Sequence, residues 1–131
     1  MPDTGPDEAA IVRLVQAYAL AADAYDGAAL AQCFTRDGIL DRSDNRFTGQ
    51  DAIAKAIVNP GGRVRRHLFL PPVLLFPETD IAEGRGYCLY CEYDSAARAA
   101  RPFIPIDYHD HYRRTAAGWR LSSRRVRPSF S

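Results

Sequence analysis

The sequence predicts an α+β fold: a strongly curved antiparallel sheet forming a cone-shaped barrel, with three helices from the N-terminal half packed across its concave face. Three observations lead there. Ile11, Leu14, Val15, Tyr18, Ala22 and Tyr25 recur at steps of three and four, the spacing that lines one face of a helix. Beyond Asn59-Pro60-Gly61-Gly62 the chain changes to runs of aromatic and branched residues broken by turn signals, the pattern of strands. Helices therefore precede strands instead of alternating with them, which separates this fold from βαβ architectures.

Pro6 stands in a first helical turn, and Thr4 with Asp7 forms a capping-box pattern that opens a helix running to about Ala24. Asp26 caps a second, shorter helix with Leu30, Cys33 and Phe34 on its apolar side, and Thr35-Arg36-Asp37-Gly38 reads as the turn that ends it. A strand is expected from Ile39 to about Arg42. After the loop Ser43-Asp44-Asn45, Thr48-Gly49-Gln50-Asp51 repeats the capping-box pattern ahead of Ile53, Ala56 and Ile57. That third helix stops at Pro60 and its two glycines. Strands are then expected over Arg65 to Leu70, Val73 to Phe76, Ile81 to Tyr93, Phe103 to Thr115 and Trp119 to Val126. Pro71-Pro72 and Gly84 with Gly86 mark where the sheet bends, because proline lacks a ladder donor and strand glycines accompany bulges.

The 131 residues are expected to form one domain, long enough to bury a core without disulfides or metals. Seventeen basic residues balance sixteen acidic ones, so net charge draws the chain neither to nucleic acid nor to a membrane surface. No apolar run approaches membrane-spanning length, and the N-terminus has no leader pattern, which predicts a cytoplasmic protein. Three cysteines without scaffold spacing suit a reducing compartment.

The order helix, helix, strand, helix, sheet carries Tyr18-x4-Asp23-x2-Asp26, Phe34-x2-Asp37-Gly38, Gly49-x3-Ile53, Arg66-His67 and Gly118-Trp119-Arg120-Leu121. Together these resemble the SnoaL-like branch of the nuclear transport factor 2-like superfamily, over about residues 8 to 128 of a single SnoaL-like domain. The resemblance implies a cystatin-like roll, and a superfamily that hosts dehydratases, isomerases, epoxide hydrolases, cyclases and binding proteins. Within it the chain is most similar to the scytalone dehydratase and bile acid 7α-dehydratase branch, where a helix aspartate orients a pocket histidine. Asp23 and His67 fall on those positions, and Tyr18 on the helix tyrosine of the bile acid enzymes. Scytalone dehydratase's pocket tyrosines fall instead at Ala22 and Arg42, its second histidine near Cys91 or Glu92, and its serine/asparagine pair near Ile106 and Tyr108, which implies a different substrate. The general base of ketosteroid isomerase falls at Arg42, one residue from Asp41, and one step along a strand reverses the side chain.

Chemistry leads to the same residues. A carboxylate bonded to one imidazole nitrogen fixes the tautomer and leaves the other nitrogen as a base near neutrality. His67 is then the acid/base, Asp23 its orienter and Tyr18 a hydroxyl donor to a developing enolate oxygen. Tyr25, Tyr90, Glu92, Tyr108, Asp110 and Arg125 are expected to line the substrate pocket, with Asp110 pairing to Arg124 or Arg125. The expected activity is a cofactor-independent dehydratase acting on a small, largely apolar cyclic hydroxy-carbonyl compound. A silent binding protein, or an isomerase or cyclase using the same pocket, is the competing reading.

Cys88-x2-Cys91 and His109-x-His111 suggest zinc, but strand residues three apart face opposite ways, and Asp107 makes the histidine face an ordinary polar one, so no metal is expected. The arginine-rich last third, from Arg98 to Arg127, lacks a nucleic-acid-binding motif and reads as a salt-bridged sheet face. Arg125, sharing parity with Trp119 and Leu121, is the arginine expected to reach the pocket. Exposed aromatic strand faces predict a homo-oligomer, with a dimer favoured over a trimer.

Overall fold

The computed structural model describes residues 3–130. Helix α1 spans Gly5–Asp23, α2 Gly27–Gln32 and α3 Gln50–Ala54. The strands are β1 (Phe34–Asp41), β2 (Arg46–Thr48), β3 (Arg63–Phe69), β4 (Val73–Glu78), β5 (Ile81–Asp94), β6 (Ala99–Ala100), β7 (Ile104–Thr115) and β8 (Gly118–Pro128). They form one eight-stranded sheet in the order β2-β1-β8-β7-β5-β3, with β4 and β6 also on β5. The expected α+β architecture is present. The sheet is mixed: β1 runs parallel to β8, and the other pairings are antiparallel.

The apolar stripe of α1 buries Ile11, Leu14, Val15, Tyr18 and Ala22 in one cluster with Phe34, Tyr112, Trp119 and Leu121. At about 1.5–3 kcal/mol for each large apolar side chain taken from water, this burial is what holds the helix on the sheet. No helix among the described residues is long and apolar enough to cross a membrane.

Neither expected capping box forms. Thr4 makes no side-chain cap, and Asp7 bonds instead to Arg114 Nη1 at 2.9 Å and Trp119 Nε1 at 3.1 Å. A charged guanidinium outbids a backbone amide for a carboxylate. At α3 the cap position belongs to Gly49, with φ +89, because Thr48 is still paired in β2. Asp26 does cap α2, accepting from Ala29 N at 3.0 Å.

Thr35 to Gly38 is not a turn but the opening of β1. Pairing jumps from Phe34↔Leu121 to Ile39↔Ser123, so the turn-favouring residues form a bulge inside the strand. There a Cβ on Gly38 would stand 2.8 Å from Phe34 Cβ.

Gly84 and Gly86 leave the β5–β7 ladder unbroken from Ile81 to Tyr90. Gly84 instead makes room for Tyr112, whose ring lies 2.9 Å from where a Cβ would be. Pro71-Pro72 falls where β5 changes partner, from β4 at residues 81–85 to β3 at residues 88–94.

The irregularity that matters most for the pocket lies between β7 and β8. His111 pairs with Ser123 but Tyr112 with Leu121, leaving Ser122 as the extra residue of a β-bulge. Side-chain parity reverses there. Trp119 and Leu121 point inward before the bulge, and Arg124 rather than Arg125 points inward after it.

Candidate active site

His67 lies on β3, where the inward residues alternate as Arg65, His67 and Phe69, and the C-terminal end of α1 comes down on this strand. Asp23, the last residue of α1, meets His67 twice. Its Oδ1 lies 2.7 Å from His67 Nδ1, and the carboxylate also accepts from the His67 backbone N–H at 3.1 Å. With Nδ1–H donated to the carboxylate, Nε2 carries the lone pair. Both side chains are 12% exposed, shielded but open to a small ligand.

A cavity of about 170 Å³ opens beside the imidazole. Tyr18, Ala22, Leu40, Ile57, Ile106, Tyr108 and Val126 form most of its wall, joined by Arg42, Arg65 and Tyr90. An apolar cavity of roughly 150 Å³ takes up benzene, so there is room for a single ring. Burial pushes the Tyr18 phenol above its usual value, and that of Tyr108 well above it. Both therefore remain neutral O–H donors at neutral pH. The Tyr90 ring lies 4.8 Å from the imidazole, and its hydroxyl donates to Glu92 Oε1 at 2.9 Å. Burial, then the Glu92 bond, pushes the Tyr90 phenol up to about 12.

Behind this wall Arg124 is 1% exposed and forms a bidentate pair with Asp110, both contacts at 2.8 Å. Tyr112 O–H donates to the same carboxylate at 2.7 Å. The guanidinium carbon lies 4.3 Å from the Tyr18 ring centroid, 4.6 Å from that of Tyr108 and 5.0 Å from that of Phe69. Arg124 thus supports the two cavity tyrosines from beneath as a cation–π platform.

The expected site residues divide. His67, Tyr18, Tyr90 and Tyr108 line the cavity, with Asp23 behind the histidine. Tyr25, at φ +55, lies outside and carries the Arg65 guanidinium 3.9 Å above its ring. Glu92 is turned to Tyr90 and Arg63, and Asp110 belongs to the buried Arg124 pair. Arg125 does not reach the cavity: it is exposed on the outer face, because the Ser122 bulge reversed its parity. Asp41 bonds Arg127 at 3.0 Å while Arg42 lines the cavity, so no carboxylate stands at the isomerase base position.

Sequence reasoning missed Arg65, and it reached Arg42 only as the position of a pocket tyrosine in scytalone dehydratase and of the general base in ketosteroid isomerase. Arg65 was within reach of it, standing two residues before His67 and hence on the same strand face.

On the outer face, His109 Nε2 lies 2.7 Å from Glu83 Oε1, which holds the Glu83 carboxyl below its ordinary value of 4.5. His111 stands beside them, the three candidate ligand atoms lying within 4.8 Å of one another. Arg85 and Arg125 are the ladder partners of His109, a cationic setting that opposes a metal dication. A wider depression of about 470 Å³ on the same face includes Val73, Arg85, Tyr87, His109 and Arg125; its histidine is also bonded to a carboxylate, but that pair lies open on the outer face whereas the His67 pair is shielded. Cys88 is buried, and burial pushes its thiol up to about 11.

Residues 4–125 match the SnoaL-like domain family. No curated protein matches the sequence. Among solved structures, Rv3472(D26N) from Mycobacterium tuberculosis, of unknown function, is similar with 24% identity and a TM-score of 0.84, covering 98% of this chain and 78% of that one. A scytalone dehydratase-like protein from Novosphingobium aromaticivorans DSM 12444 gives 22% identity and a TM-score of 0.82, covering 95% of this chain and 85% of that one. The hexachlorocyclohexane dehydrochlorinase LinA-type3 from Novosphingobium barchaimii LL02 gives 19% identity and 0.80, covering 95% and 88%. At these identities the likeness is one of fold, nuclear transport factor 2-like with the cystatin-like roll.

Proposed function

We propose that this chain, which belongs to the SnoaL-like domain family, is a cofactor-independent lyase that removes water from a small, largely apolar cyclic hydroxy-carbonyl compound. The observation that carries the reading is the 2.7 Å contact of His67 Nδ1 with Asp23 at the edge of a cavity lined by Tyr18, Tyr90 and Tyr108. His67 Nε2 takes the proton next to the substrate carbonyl, and the C–H electron pair moves into an enolate. Tyr18 donates its O–H to the enolate oxygen, which develops charge beside a neutral phenol in a water-poor site. As the enolate collapses, the neighbouring C–O bond breaks and the imidazolium returns its proton to the departing hydroxide. One imidazole serves both proton transfers, and an unsaturated carbonyl compound and water leave. Similar solved structures are named for eliminations, one a dehydratase and one a dehydrochlorinase, which supports the reaction class.

Cyclic hydroxy-ketones screened for the rise in enone absorbance test the reading. His67→Ala should lower turnover by about 10²–10⁴-fold while leaving ligand affinity within a few-fold. A variant changed only in affinity would make the pocket a binding site without chemistry.

The outer sheet face, with Val73 74%, Leu75 64% and Tyr87 61% exposed, is proposed to pair with a second copy of the chain. Sedimentation at several concentrations would show a dimer, and a concentration-independent monomer would remove the proposal.

A further inference from the structure

The cavity holds a cation that the dyad does not use. Arg65 is held firmly: its Nε and Nη2 both donate to the Ala22 carbonyl at the end of α1, and its guanidinium carbon lies 3.9 Å from the Tyr25 ring centroid. These contacts fix the plane of the side chain without touching its charge, since a carbonyl and a phenol ring are neutral. Among the described residues no carboxylate forms an ion pair with it. Glu92 is its ladder partner on β5, but that carboxylate turns to Arg63 at 3.2 Å, Arg101 at 3.9 Å and the Tyr90 hydroxyl. Asp23, the nearest acid on α1, is committed to His67. The other guanidinium in the cavity wall, Arg42, does have a carboxylate, Asp44, at 3.3 Å.

A half-buried guanidinium that is positioned on its edge and its face, lacks a carboxylate partner and has the neutral Tyr90 hydroxyl as a further side-chain neighbour is a prepared anion site. Leaving such a charge partly desolvated costs stability that a bound anion returns. We propose that Arg65 forms a carboxylate subsite in this cavity, so that the ligand is a cyclic or aromatic carboxylate, its ring among Tyr18, Tyr108 and Ile106 and its anionic group on Arg65. Alternation along β3 puts Arg65 and His67 on the same wall, which sets the carboxylate beside the imidazole and the ring across from it. The inference rests on the reading that this cavity is the ligand site. It does not need the lyase chemistry.

Benzoate and benzamide separate the two ideas, being alike in shape and different in charge. In calorimetric titrations the protein should bind benzoate at least about tenfold more tightly than benzamide, and the preference should shrink as salt is raised. Arg65→Gln should abolish the preference by weakening benzoate while leaving benzamide within about twofold. His67→Ala should keep it, so a protein that binds benzoate selectively but turns over nothing would end the lyase reading and leave this one standing. Should Arg65→Gln fail to fold, the Arg65 Nε–H resonance of the native protein decides: benzoate should move it and benzamide should not. Equal binding of the two probes, binding of neither at millimolar concentration, a preference that survives Arg65→Gln, or an unmoved Nε–H resonance would overturn the subsite.

Discussion

Asp23 with His67 and Asp110 with Arg124 are two carboxylates bonded to nitrogen side chains at nearly equal length, 2.7 and 2.8 Å, standing on either side of the same tyrosine wall. Their settings make them different devices. Asp110 and Arg124 are sealed at 3% and 1% side-chain exposure, and every oxygen of the carboxylate is occupied, by the guanidinium and by Tyr112. Such a pair offers no free end to a ligand, and its guanidinium stands against the rings of Tyr18 and Tyr108. The Asp23 pair ends in an imidazole that can gain and lose a proton, with one nitrogen left over for a ligand. Burial alone therefore does not mark a functional carboxylate. On the proposed reading it is the free nitrogen of the imidazole that separates the two.

The comparison is broken most severely at the sealed pair. Asp110→Ala leaves an uncompensated buried guanidinium and should cost about 3–5 kcal/mol. Thermal melts should show a fall of roughly 10 °C or more. Asp23→Ala should destabilise far less, because solvent can reach His67, yet it should abolish turnover.

Tyr18→Phe comes next in size. It keeps the ring over Arg124, so stability should hold, while loss of the enolate donor should lower kcat by about 10²–10³-fold. An unchanged kcat would move the donor role to Tyr108.

The smallest effect tests a third pair, at the surface. The Arg114 hydrogen bond, followed by that of Trp119, lowers the Asp7 carboxyl below its ordinary 3.8. The folded state thus binds this proton less tightly than the unfolded chain does. Its contribution is present above pH 3.8 and is lost as pH falls through the depressed value. Asp7→Asn should therefore shrink the stability difference between neutral and strongly acid solution, measured by denaturant titration at each pH, without altering turnover.

Local patterns were readable where their causes are local. The α1 stripe, the Asp26 cap and the long strands follow from side-chain periodicity and turn chemistry within a few residues. Both failed capping boxes show the limit. Asp7 sits where a cap needs it, but its partner Arg114 is 107 positions away, and nothing near Thr4 announces that competition. The turn-like Thr35-Arg36-Asp37-Gly38 became a bulge within β1 because the residues on either side of it, Phe34 and Ile39, both pair with β8.

What the sequence by itself determined is the order of elements, the face of α1 that is buried, and the identity of Asp23, His67 and Tyr18 as residues brought to one place. What only the tertiary structure decided is which of two adjacent arginines enters the molecule and which of the two arginines in the cavity wall is left without an anion. The first depends on one extra residue, Ser122, because each step along a strand turns the side chain to the other face and a bulge shifts every later residue at once. The second depends on where Glu92, Arg63 and Ala22 stand around Arg65. A charge is balanced by its neighbours in space, and those neighbours come from three separate stretches of the chain.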